Sequence, residues 1–179
     1  MRLFSPAQGI LILCAALLSA CGVSVEQGAG DKVAIPAEVA GKWQVQVKDS
    51  ADKAMQIAAA GDTMSLQWSG AGKDDLPGTA FLYQFRGKEY VLIDNGEKAG
   101  GYTPLQVSSR SASDIKLRAL DPKRVALRLK KMKSPVTYRK QWLRQEIYLE
   151  AGMFEKLLTL HEEAIFQKEI AIHMQKLPE

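Results

Sequence analysis

The 179-residue chain reads as a mainly β protein of α+β type, in which an antiparallel meander of about eight strands closes into a barrel or folds into a sandwich, with an amphipathic helix at the C-terminal end. Three observations predict this. Short runs between residues 42 and 130 alternate apolar and polar side chains, turn-forming Gly, Asp and Pro separate them, and beyond residue 138 the apolar period changes to that of a helix.

The elements follow in order. Residues 42–48 set Trp43, Val45 and Val47 against Gln44, Gln46 and Lys48, as a half-buried strand does. Residues 54–59 and 64–68 flank Ala60-Gly61-Asp62 and read as a hairpin. Residues 79–85 put Phe81, Tyr83 and Phe85 on one face, turn at Arg86-Gly87-Lys88 and return over 89–93. Residues 102–108, 114–120 and 124–130 supply three more strands, the last two joined across Asp121-Pro122-Lys123. Phe154, Leu157, Leu158, His161 and Ile165 then share one helical face, so a helix is expected over 153–164. Past it, Ile170, Ile172 and Met174 alternate as a short terminal strand rejoining the sheet.

At the other end, Arg2, an apolar run over 9–18 and small residues ahead of Cys21 make the three-part layout of a secretory signal. The run stops short of the roughly 20 apolar residues that a spanning helix needs. Leu18-Ser19-Ala20-Cys21 resembles the lipobox of bacterial lipoproteins. That resemblance implies that residues 1–20 are a cleaved signal peptide, that Cys21 becomes the first mature residue, and that Cys21 carries the lipid. Gly22, rather than Asp, follows the cysteine, which under the family's sorting rule implies the outer membrane, facing the periplasm. Two or three acyl chains make such attachment stable, where one chain alone is marginal. Residues 21–37 then read as the lipidated cysteine and a flexible tether rich in small and polar residues, and 38–179 as a single β-rich domain.

Composition fits an ordinary globular domain, at 46% hydrophobic and 25% charged. Cys14 leaves with the signal and Cys21 is consumed by lipid, so the mature domain is expected to have no disulfide and to rest on packing. Charge is unevenly placed: twelve Lys or Arg lie between Arg110 and Arg144 against only Asp114 and Asp121, while the rest of the mature chain is acidic. Paired as a hairpin, 114–120 and 124–130 turn Ile115, Leu117, Ala119, Val125, Leu127 and Leu129 inward and gather Lys116, Arg118, Arg124, Arg128 and Lys130 outside. Like charges on one face suit an anionic envelope component or an acidic protein, the compartment arguing against nucleic acid. A solvated face that discourages edge pairing accounts for the same residues.

Patterns that would carry catalysis fail on inspection. His161-Glu162-Glu163-Ala164-Ile165 begins like a zinc-protease helix but has Ile165 where the second histidine belongs. Gly70-Ala71-Gly72-Lys73 is followed by Asp74 in place of the magnesium-binding hydroxyl, and Gly28-Ala29-Gly30 has no strand before it. No Gly-x-Ser-x-Gly elbow occurs. No enzyme, metal or cofactor is expected.

Gly41-Lys42-Trp43, opening the first strand of the meander, is similar to the Gly-x-Trp that opens lipocalins, although no Thr-Asp-Tyr follows later. The resemblance implies a barrel holding a small apolar ligand, lined by residues such as Trp43, Trp68, Phe81, Tyr83 and Phe85. Two functional expectations result: a membrane-anchored, non-enzymatic binding module, including inhibitor- or immunity-like forms, and alternatively a lipocalin-like carrier.

Overall fold

The architecture is that of a computed structural model, which describes residues 22–48, 51–69, 78–96, 100–141 and 144–178. The expected signal peptide, Cys21 and most of the loop after Trp68 lie outside the described residues. Among the described residues, twelve strands and two α-helices follow in order: β1 (Val23–Val25), β2 (Asp31–Val33), β3 (Gly41–Val47), β4 (Lys53–Ala60), β5 (Thr63–Trp68), β6 (Gly78–Phe85), β7 (Lys88–Asp94), β8 (Tyr102–Arg110), β9 (Asp114–Ala119), α1 (Pro122–Lys131), β10 (Thr137–Gln141), β11 (Arg144–Leu149), α2 (Met153–Ile165) and β12 (Ile172–Lys176).

Eight of these strands close into an antiparallel barrel. β3 to β9 pair successively, and β12 fills the remaining gap, with Met174 opposite Val45 of β3 on one side and Ile115 of β9 on the other. Closure removes the edges that an open meander would expose. Alternation in the sequence decides what points inward: Trp43, Val45, Ile57, Leu82, Leu105, Leu117 and Met174 belong to one buried cluster. An eight-stranded barrel is just wide enough for side chains to fill it. At its end, Trp43 is 0% exposed and donates its Nε1–H to the Val39 carbonyl at 2.9 Å, so the 3-10 turn Ala37–Val39 caps the barrel there. Lys176 lies over the same ring, its Nζ 5.7 Å from the centroid.

A second core lies outside the barrel wall. Tyr90 and Leu92 of β7 point outward and are covered by Val125 and Leu129 of α1, Phe154, Leu157 and Ile165 of α2, and Val23 and Val25 of β1. β1 runs parallel to β11 and also touches β8, extending the sheet sideways to β10. Full burial of each such aliphatic side chain is worth about 1.5–3 kcal/mol, so the flank is a substantial part of the fold.

Three expectations are corrected. Residues 124–130 are not a strand but the body of α1: Asp121 caps it by accepting from the amides of Lys123 and Arg124, and Pro122 occupies its first turn. Val125 and Leu129, four apart, are buried, whereas Leu127 between them is 50% exposed, which is helical periodicity. The segment after Cys21 is not a free tether either. Val23 and Val25 are fully buried, Ala29 nearly so, and Asp31–Val33 pairs with β6. Finally, β10 and β11 fill a stretch in which no strand is expected.

Candidate functional site

Breaking the expected hairpin splits its basic face in two. Lys116 and Arg118 stay on β9, while Arg124, Arg128 and Lys130 move to α1. Arg118 donates from Nε to the Gln167 carbonyl at 2.8 Å and approaches Glu163 at 3.6 Å. Arg124 donates to the Phe166 carbonyl at 3.1 Å and pairs with its own cap, Asp121, at 3.2 Å. Both arginines therefore fasten the chain that leaves α2, satisfying carbonyls at a helix end. Lys116 stands 3.8 Å from Asp114, whose carboxyl is held below its ordinary value chiefly by His173, 2.5 Å away.

The remaining cations of α1 are differently placed. Among the described residues, Lys123, Arg128, Lys130, Lys131 and Lys133 have no ion-pair partner. Lys123, Lys130 and Lys131 are exposed, and they stand four before, three after and four after Leu127, so on a helix they ring it. The outer face of α1 is thus an apolar side chain inside a collar of uncompensated positive charge, on a helix whose opposite stripe is locked to the core.

A polar groove of about 440 Å³ runs along β7, β8 and β9 beside α2. Its charges are already matched. Arg110 holds Glu89 through two nitrogens at 2.9 and 3.1 Å, and Glu38 at 3.0 Å. Lys88 spans Glu162 at 3.0 Å and Glu163 at 2.6 Å, which raises its pKa and lowers that of Glu163. Behind the groove, Glu162 accepts from Tyr90 Oη at 2.5 Å and from Gln106 Nε2 at 2.8 Å, pinning α2 to the barrel wall. Burial first, then Glu162, pushes the Tyr90 phenol far up. Among the described residues, Gln106 Oε1 is buried without a hydrogen-bond partner. The β8 bulge between Val107 and Ser109 shapes the floor of this groove.

The expected ligand-lining residues divide between two surfaces. Trp43 belongs to the barrel cluster, and Trp68, partly buried, packs against it. Tyr83 and Phe85 pack with the outer flank, and Phe81 packs edge-on against Tyr102 with Lys32 Nζ 4.0 Å above its ring. The register explains this: Ala80 and Leu82 take the inward positions of β6, which sends the aromatic residues between and beyond them outward. The two histidines stand apart, His161 at a non-helical kink in α2 and His173 on Asp114. Among the described residues, no three His, Cys, Asp or Glu side chains gather as metal ligands, and no helix is long and apolar enough to cross a membrane.

Fold and surface together define a closed eight-stranded antiparallel barrel with a helical flank and a cationic helix face. Set beside family models, curated proteins and solved structures, the chain matches none of them.

Proposed function

We propose that the protein is a membrane-anchored, non-enzymatic binding module, tethered by lipid at Cys21, whose contact surface for an anionic partner is the outer face of α1. The observation that carries this reading is the collar of Lys123, Lys130 and Lys131 around exposed Leu127, none of which has an ion-pair partner among the described residues. Holding like charges together on a rigid helix costs little in water and favours a partner that neutralises them. Arg118 and Arg124 serve the fold and Lys116 stays on β9 beside Asp114, so the binding residues carried forward from the basic segment are Arg128 and Lys130, joined by Lys123 and Lys131.

A lipocalin-like carrier is the second reading, favoured by the closed eight-stranded barrel that opens with Gly41-Lys42-Trp43. The packing of Trp43, Leu82 and Leu105 weighs against it, because a ligand would have to displace side chains that leave almost no free surface. The two readings separate in one experiment. The mature chain with Cys21→Ser is used to capture material from solubilised envelopes at low and high salt, beside Lys123→Gln/Arg128→Gln/Lys130→Gln. Capture by the parent alone, lost with salt, supports the binding module. Capture that is indifferent to salt and to the substitutions contradicts it and turns attention to the barrel.

A further inference from the structure

The cationic helix begins beside the residue that follows the expected anchor. Gly22 packs on Pro122, the first residue of α1: a Cβ built on Gly22 would stand 3.1 Å from Pro122 Cγ. Its carbonyl accepts from the Ile147 amide at 2.8 Å, and the next residues form β1, where Val23 and Val25 are fully buried. Cys21 is joined to this pinned backbone by a single peptide bond, which places consecutive Cα atoms about 3.8 Å apart. A single peptide link therefore separates an acyl group on that cysteine from the described fold. α1 is ten residues long, about 15 Å from end to end. Lipid leaving Cys21 would therefore enter a bilayer within about one helix length of Lys123, Leu127, Lys130 and Lys131.

We infer that α1 is a membrane-apposed helix: the protein lies flush on an anionic phospholipid surface, its lysines against the phosphodiester headgroups and Leu127 inserted among them. This rests on the lipid-anchored reading above and names the partner of that same surface. The apolar stripe of α1 is taken by the core, but the exposed Leu127 among lysines offers on a small scale the two contributions by which interfacial helices bind, apolar insertion and attraction to anionic lipid. Matched acidic proteins bind through discrete carboxylates and need partners fixed in space; a fluid headgroup layer needs only the density of charge that α1 presents. With the anchor one residue before the chain that packs on Pro122, the inference orients the domain with the outer face of α1 toward the bilayer.

Two measurements test this. In the first, the mature chain with Cys21→Ser, which retains every described element, is sedimented with vesicles containing phosphatidylglycerol or phosphatidylcholine alone. Binding to the anionic vesicles is expected, weakening about fivefold for each lysine neutralised, so about a hundredfold for Lys123→Gln/Lys130→Gln/Lys131→Gln. Leu127→Gln should weaken it at unchanged charge. Equal binding to both vesicle types, or no effect of the triple variant, overturns the inference. Capture of an acidic envelope protein by a chain that ignores anionic vesicles also overturns it, while leaving the broader binding reading intact. In the second, the full lipidated protein in anionic vesicles carries a fluorophore at Leu127→Cys or, as a control, at Asp62→Cys in the hairpin between β4 and β5. A quencher on the lipid headgroups should act at 127 and spare 62. Equal quenching at both positions contradicts the orientation. Failure of the anchor itself would be seen separately, as a chain from which no acyl group can be recovered.

Discussion

Gly28 and Tyr83 are in direct apposition: a Cβ built on the glycine would stand 2.5 Å from the ring. The chain that follows Cys21 therefore passes over an aromatic surface where only hydrogen fits, and Ala29 beside it is buried. Gly28→Ala must displace backbone or ring and is expected to cost about 1–3 kcal/mol, read as a lower denaturant midpoint. A midpoint unchanged from the parent would mean that the segment is loose after all.

The helical character of α1 has its own signature. Leu129→Ala should cost about 2–5 kcal/mol because Leu129 is buried, while Leu127→Gln should change stability by about 0.5 kcal/mol or less because its side chain faces solvent. Paired strands with both residues inward would make the two substitutions comparably damaging.

That contrast shows why part of the fold was legible in the sequence and part was not. The meander was readable because one face of each strand is buried, so Trp43, Val45 and Val47 had to alternate with polar residues. In α1, Val125, Leu127 and Leu129 alternate too, but the outer two are also four residues apart, so the period alone does not decide. Asp121 followed by Pro122 was the arbiter, a cap and first-turn pair that serves a helix start as readily as a turn. β1 left no periodic trace: Val23, Ser24 and Val25 are all buried, and three residues are too few to show a pattern. The small residues that suggested a flexible linker are the ones required where the chain crosses Tyr83. On β6 the sequence showed that Phe81, Tyr83 and Phe85 share a face but not which face, because a second core outside a barrel has no separate signal. Of the candidate site, the cationic segment was legible, but the division between arginines that bind carbonyls and lysines left to solvent depends on α2, far away in sequence.

Trp43 separates a filled barrel from a hollow one. Trp43→Ala should cost about 3–5 kcal/mol, since it removes a fully buried ring and leaves the Val39 carbonyl without its donor. Were the ring part of an open ligand cavity, the midpoint would hold and ligand affinity alone would change.

Glu146 predicts a pH dependence. It is 7% exposed and its pKa is raised, chiefly by burial, with the Ser24 hydroxyl at 2.8 Å and the Arg139 charge offsetting part of the shift. The folded protein thus holds this proton more tightly than the unfolded chain. Its contribution is fully present below the ordinary glutamate value of 4.5 and is lost as pH rises through the higher folded value. Glu146→Gln should therefore gain on the parent in thermal melts as pH rises, with the two converging in acid. A difference that stays constant with pH would contradict this.

The central claim is that the barrel is held at a membrane through Cys21, and intact-mass analysis of the protein extracted from membranes tests it most directly. The account predicts a chain beginning at Cys21 that carries the mass of two or three acyl chains, and loss of that mass in Cys21→Ala. A chain that begins elsewhere, or an unmodified Cys21, would contradict it.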